Sequence, residues 1–177
     1  YFELNADVGA IVGNAVLLAG TAGTVNVLAY DQYSDNTVGG EAYNTDSAIT
    51  TRLSALGRSW SRTSLTDYTL LSSMLAGQHV FLVYEQENSD GSTLSTIGSY
   101  WASTLSAFVA GGGVVIVCDH NWSSGGTYQV LNGAGLMSIL GSTGLSLSTY
   151  TTVDFPSDPV AAGVTSPYVA TNGSLSF

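Results

Sequence analysis

The sequence contains no lysine, and its three basic residues (Arg52, Arg58 and Arg62) face thirteen acidic ones. The resulting net charge of −10 argues against binding to nucleic acids or anionic membranes, because both need patches of lysine and arginine. Only 9% of the residues are charged, whereas about 25% is usual. We therefore expect an extracellular or cell-surface protein, with an unusually neutral cytoplasmic domain as the alternative.

The chain has a single cysteine, which excludes an internal disulfide and a cysteine-based zinc site. Long apolar runs are also missing. The most apolar early segment, residues 10–22, is interrupted by glycine and is shorter than the ~20 residues of a membrane-spanning helix. Because the chain begins at Tyr1 without methionine, we expect removal of a signal peptide or excision from a longer chain.

The first 23 residues are rich in glycine and alanine and carry no charge after Asp7. Two interpretations stay open for this segment: an apolar arm that packs on a neighbouring molecule, and an extra edge strand of its own domain. An arm would make its contacts through Phe2, Leu4, Val8, Ile11 and Val12.

Residues 24–177 are predicted to form one α/β domain, because apolar strand patterns alternate with helical ones. Right-handed crossovers then favour a three-layer α/β/α sandwich with a mostly parallel sheet. Three glycines precede the apolar run Val114–Cys118, which we interpret as the central strand. The other predicted strands are 25–30, 60–63, 79–84 and 145–153, and the predicted helices are 46–56, 68–75, 94–110 and 131–140.

Chemistry is expected just after the central strand, because ligands of open α/β sheets bind at the carboxyl ends of the strands. Cys118 is a candidate nucleophile, with His120 as its base and either Asp119 or Glu85 to orient that base. The alternative is that Cys118 is a small buried residue without a chemical role.

Acidic residues follow three predicted strands and suggest a second kind of site. Asp31, Asp35, Glu85 and Asp119 offer oxygen ligands of the kind that Ca²⁺ or Mg²⁺ prefers, and Glu87 and His120 lie beside them in the sequence. A solvated acidic rim without metal is the alternative. No EF-hand spacing is present.

Aromatic residues near the same predicted loops suggest a third possibility. They could form a carbohydrate platform or a subunit contact, and scattered, partly buried tyrosines are the alternative. The residues concerned are Tyr30, Tyr33, Tyr43, Trp122 and Tyr128.

Four segments carry a family resemblance: VNVLAYD (25–31), LLSSMLAGQHVFLVYEQ (70–86), LSAFVAGGGVVIVCDH (105–120) and DPVAAGV (158–164). Their order is similar to that in the class I glutamine-amidotransferase-like superfamily, especially its trehalose-utilisation-type branch. The resemblance implies a flavodoxin-like fold and places Cys118 at or next to the nucleophile. The chain departs from the catalytic pattern, because Cys118 lacks flanking glycines and no histidine or glutamate follows Pro156.

We therefore predict a non-catalytic extracellular structural or interaction module, which self-associates as a subunit of a surface filament or layer. No cofactor is expected, and Ca²⁺ is the cation that its acidic rim would suit. The alternative is a hydrolase or carbohydrate-binding protein of the trehalose-utilisation type, with Cys118, Asp119 and His120 at its site.

Overall fold

Four parallel strands form one sheet, and helices cover both of its faces. This architecture comes from a computed structural model that describes residues 5–120, 126–145, 149–171 and 173–177. The order of the strands is β2-β1-β3-β4, with β1 (Val25–Tyr30), β2 (Trp60–Leu65), β3 (Val80–Val83) and β4 (Val114–Val117). The predicted α/β class and flavodoxin-like three-layer sandwich are confirmed.

Five α-helices occur in the described ranges: α1 (Ala6–Leu17), α2 (Glu41–Ala55), α3 (Leu71–Met74), α4 (Gly91–Ala110) and α5 (Gln129–Gly133). Short 3₁₀ turns lie at Tyr68–Leu70 and Pro159–Ala161. Two small antiparallel pairs follow, in which β5 (Thr143–Gly144) pairs with β8 (Leu175–Ser176) and β6 (Tyr150–Thr151) pairs with β7 (Tyr168–Val169). No helix within these ranges is both long enough and apolar enough to cross a membrane.

The side chains of β1 alternate between two hydrophobic cores, one on each face of the sheet. Val25, Val27 and Ala29 pack in the core that contains side chains of α1 and α2. Leu28 and Tyr30 pack in the core that contains side chains of α3, α4 and α5. Because both faces are covered, the strand is apolar throughout, as expected for a parallel sheet.

The strand β4 lies at the edge of the sheet, so its prediction as the central strand is wrong. It pairs with β3 over four residues, Val114 to Val117, and all four are half-buried. An apolar run of this kind is needed wherever both faces of a strand meet helices. It carries no information on whether another strand pairs with its far side.

Within the first 23 residues, for which an arm or an edge strand is predicted, the described part forms the helix α1. The side chain of Asn5 caps it by accepting hydrogen bonds from the amides of Asp7 and Val8, at 3.0 and 3.1 Å. The helix packs against α2, and its Val16 is completely buried. Such a capped and buried helix is stabilised by tertiary packing, which its sequence of small residues does not reveal.

Other predicted boundaries shift as well. The helix α2 begins at Glu41 rather than at Asp46, and Asp46 lies inside it. The helix predicted over 131–140 is the five-residue α5. The strand predicted over 145–153 is reduced to β6 among the residues that are described there.

The helices α4 and α5 approach each other closely at a glycine. A side chain at Gly98 of α4 would overlap the main-chain carbonyl of Val130 in α5. This contact holds α5 close against α4.

Candidate functional site at the carboxyl end of the sheet

The carboxyl ends of β3 and β4 enclose a small cavity. Glu85 follows β3, and Cys118, Asp119 and His120 follow β4, so the parallel arrangement brings these four predicted site residues together. The cavity has a volume of about 50 Å³, with room for a few water molecules. It is lined by Val8, Glu41, Thr45, Glu85, Cys118, Asp119, His120, Thr171 and Ser174.

The thiol of Cys118 is buried, with 7% of the residue exposed. Burial, together with the carboxylates of Glu41, Asp119 and Glu85, raises the pKa of this thiol to about 12. A cysteine nucleophile needs a lowered pKa near a positive charge. The environment of Cys118 therefore favours the inert thiol over the reactive thiolate.

Asp119 holds the chain that follows β4 in place. Its carboxylate accepts hydrogen bonds from the amides of His120 and Thr127, both at 2.8 Å, and of Tyr128 at 2.9 Å. Burial raises its pKa, while these three amides act in the opposite direction. This carboxylate thereby joins the end of β4 to the residues directly before α5.

His120 faces Glu85 across the cavity. The distance between His120 Nδ1 and Glu85 Oε1 is 3.8 Å, longer than a hydrogen bond. Burial, together with the carboxylates of Glu41, Glu87 and Asp119, raises the pKa of Glu85 to about 8. A neutral Glu85 is therefore the main form near pH 7.

Two of the four acidic residues predicted as metal ligands, Asp31 and Asp35, are engaged away from the cavity. Asp31 pairs with the guanidinium group of Arg62, and Asp35 accepts hydrogen bonds from the amide and the hydroxyl of Thr37 at 2.9 and 2.7 Å. Glu85 and Asp119 line the cavity, whereas Asp31 and Asp35 do not. Within the described ranges, no group of three or more His, Cys, Asp or Glu residues is placed to hold a metal ion.

Gln86 is an organising residue that the sequence analysis missed. Its fully buried side chain donates hydrogen bonds to the carbonyls of Tyr30 and Tyr84, at 3.1 and 2.9 Å, and accepts one from the amide of Tyr33. It thereby ties the ends of β1 and β3 together. The available signal was its position two residues after the strand His79–Tyr84, at the carboxyl end of the sheet.

The described aromatic residues that we considered for a carbohydrate platform differ in their surroundings. Tyr30 is buried in the core, where its ring meets Trp101 edge-on at 4.8 Å. Tyr43 is 48% exposed on α2, and Tyr128 packs against Phe177. Trp122 lies outside the described residues.

A larger cleft runs beside β4. Its volume is about 450 Å³, and it contains Ile116 and Val117 of β4 together with Val8, Ile11 and Val12 of α1. These last three are among the five predicted contact residues, although Val12 is largely buried. Phe2 and Leu4, the other two, lie outside the described residues. The far wall of the cleft is formed by Tyr128, Leu131, Met137, Ile139, Leu145, Tyr168, Leu175 and Phe177.

Three properties describe the small cavity at the end of the sheet. Its thiol is buried, one carboxylate is used by three amides, and the cavity is far below the 300–1,000 Å³ of usual ligand pockets. The resemblance to the amidotransferase-like superfamily stays a prediction from sequence motifs. Comparisons of the chain with protein-family models, with curated proteins and with solved structures find no match in any of the three.

Proposed function

We propose that the chain is a non-catalytic interaction module that associates with copies of itself through the cleft beside β4. The observation that carries this proposal is the position of β4, an apolar strand at the edge of the sheet with an apolar cleft along it. An edge strand presents unpaired amide and carbonyl groups, which another chain can pair with.

The charge of the cleft supports contact between identical chains. Asp119 is the one acidic residue among the described residues that line it, although the whole chain has a net charge of −10. Two copies that meet at this cleft therefore bring few like charges together. The acidic surfaces of two copies repel each other at low salt. Screening of these charges by salt, or bridging of carboxylates by Ca²⁺, would favour association.

The amino-acid composition suggests where the chain assembles and what kind of assembly it forms. A chain without lysine, with few charges and with ten tyrosines suits an extracellular or cell-surface filament or layer. Because Val8 and Ile11 already line the cleft from α1, the contact does not require an N-terminal arm that leaves the domain.

A charge placed in the cleft tests the proposal. Met137 is 57% exposed and lines the cleft, whereas Leu140 is 99% exposed and does not. Both tolerate glutamate with a change in stability within about 0.5 kcal/mol, since neither is buried. We expect Met137→Glu to abolish the concentration-dependent mass increase in light scattering, with and without Ca²⁺, while Leu140→Glu associates like the parent chain. A parent chain that stays monomeric at every concentration would contradict the proposal.

A hydrolase is the second candidate, favoured by the grouping of Cys118, His120 and Glu85 around one cavity. A carbohydrate ligand, as in the trehalose-utilisation branch, belongs to the same hypothesis. Turnover of glycoside or ester substrates that disappears in Asp119→Ala and His120→Ala, with the fold intact by circular dichroism, would support it over the interaction module.

A further inference from the structure

Glu85 is a buried carboxyl group with an unsatisfied oxygen. The residue is 4% exposed, and its Oε1 accepts no hydrogen bond from the described residues. Glu85 lines the cavity of about 50 Å³ at the end of the sheet, and its Oε1 lies 3.8 Å from His120 Nδ1. Ionisation in such a place is costly, because a buried charge needs hydrogen bonds or a close countercharge.

Three different elements supply the titratable groups around Glu85, and most of these groups are carboxylates. Glu41 lies in the first turn of α2, Glu87 in the loop after β3, and Asp119 at the end of β4. All three carboxylates disfavour the ionised form of Glu85, and with burial they raise its pKa to about 8. His120 is the one group of this set that can become positive.

A C-terminal strap, defined here as residues 170–171 and 173–177, covers this cavity. Thr171 and Ser174 line it. Gly173 has a positive φ of 85°, and a Cβ at this position would coincide with the imidazole of His120, so the main chain lies directly against the ring. The strap thus closes over the cavity by backbone contact with His120.

The other attachments of the strap are short. Its β8 pairs with β5 over only two residues, and Phe177 meets the ring of Tyr128 at 5.4 Å. Among the described residues, the amide of Ala170 also donates to the carbonyl of Thr149 at 2.8 Å. A segment held by short pairings of this kind opens at a lower free energy than the core of the sheet. The strap is therefore able to open while the rest of the fold stays intact.

We propose that the strap is a proton-controlled cover, closed while Glu85 holds its proton and released when Glu85 ionises. In the closed form Glu85 keeps its proton up to about pH 8. In the open form it is solvated and loses the proton near the usual pKa of about 4.3. Opening between these pH values releases one proton, so the opening equilibrium constant rises by about tenfold per pH unit and levels off above pH 8.

Labelling of Cys118 tests this proposal, because it is the only cysteine of the chain and lines the same cavity. The full chain is labelled with a methanethiosulfonate reagent between pH 5.5 and 9, at a concentration at which light scattering shows monomers. The outcome is then independent of the proposed self-association. Glu85→Gln serves as the reference variant, since the ratio of parent to variant rates cancels the intrinsic pH dependence of thiol chemistry.

We expect this ratio to rise by up to about tenfold per pH unit between pH 6 and 8 and to be constant above pH 8. Glu87→Gln is the matched control, because Glu87 is exposed two residues away. It should keep the rise per pH unit of the parent chain, with the plateau beginning slightly lower because one carboxylate that raises the pKa of Glu85 is removed. A ratio that is constant over the whole range would overturn the proposal.

Hydrogen exchange of the parent chain provides a second measurement that needs no variant. We expect the protection of the amides of residues 173–177 to fall between pH 6 and 8, while that of the β1 amides falls less. Equal changes in the two segments would show opening by global unfolding and would also overturn the proposal.

Discussion

The two edges of the sheet differ in how they meet solvent. At one edge, β2 is polar, with the sequence WSRTSL, and its residues 61–64 are exposed. At the other edge, β4 has the sequence VVIV, is half-buried and borders an apolar cleft. Natural proteins protect edge strands from pairing with polar and charged side chains, and β2 carries this protection. The edge at β4 lacks it, which is why we place the contact surface there.

The two edge strands are also anchored differently. Leu65 is the one fully buried residue of β2, and the strand is aligned with β1 over six residues. In β4, no single side chain has this role, because Val115 and Val117 pack partly against one core while Val114 and Ile116 pack partly against the other. The difference can be tested by truncating one side chain in each strand.

The largest effect is expected at the anchor of β2. Leu65→Ala removes a completely buried side chain, and we expect it to lower the free energy of unfolding by about 2–5 kcal/mol. Ile116→Ala in the half-buried β4 should cost less, about 1–2 kcal/mol, because part of its surface is already exposed. Urea unfolding of both variants measures this, and an equal or larger loss for Ile116→Ala would contradict the comparison.

A smaller effect is expected from the charge that β2 carries. The guanidinium group of Arg62 pairs with the buried Asp31, lies 3.6 Å from Asp46 and is 5.3 Å from the ring of Tyr84. Arg62→Gln leaves the carboxylate of Asp31 buried without its partner, which should cost about 1–3 kcal/mol in unfolding free energy. Arg62 is itself 29% exposed, so water offsets part of the loss.

A double-mutant cycle isolates this pair. In an Asp31→Asn background no buried charge is left unpaired, and the cost of Arg62→Gln should fall clearly. The same cost in both backgrounds would show that the arginine contributes by packing alone, and that β2 is not held by its charge.

Much of the fold follows from sequence patterns whose physical cause is local. The bounds of the strand β1 and of the helix α4 are predicted to within a few residues. The continuous apolar run of β1 is typical of a buried strand, and the 3- and 4-residue apolar spacing of α4 is typical of an amphipathic helix. The helix α1 could not be predicted in this way, because its small residues gain their stability from packing against α2. Likewise, no local pattern states whether β4 has one neighbour or two.

The candidate site, too, could be predicted only in part from local sequence patterns. Parallel strands bring their carboxyl ends to one edge, so the approach of Glu85 to the residues after β4 could be predicted from the sequence. The ion pair of Asp31 with Arg62 could not be predicted in this way. It depends on how far the side chain of Arg62 extends from the neighbouring strand. The position of the strap over His120 could not be predicted either. In the sequence Gly173 is typical of a turn, and only the structure shows that its main chain lies against the imidazole of His120.

The most direct test of β4 as the contact surface is hydrogen exchange of the two edge strands at rising protein concentration. We predict that amides of residues 114–117 become at least about tenfold more protected as the chain associates, because pairing engages their free edge. The amides of β2 should keep the same protection at all concentrations. Association without added protection at β4, or with added protection at β2 instead, would contradict the account.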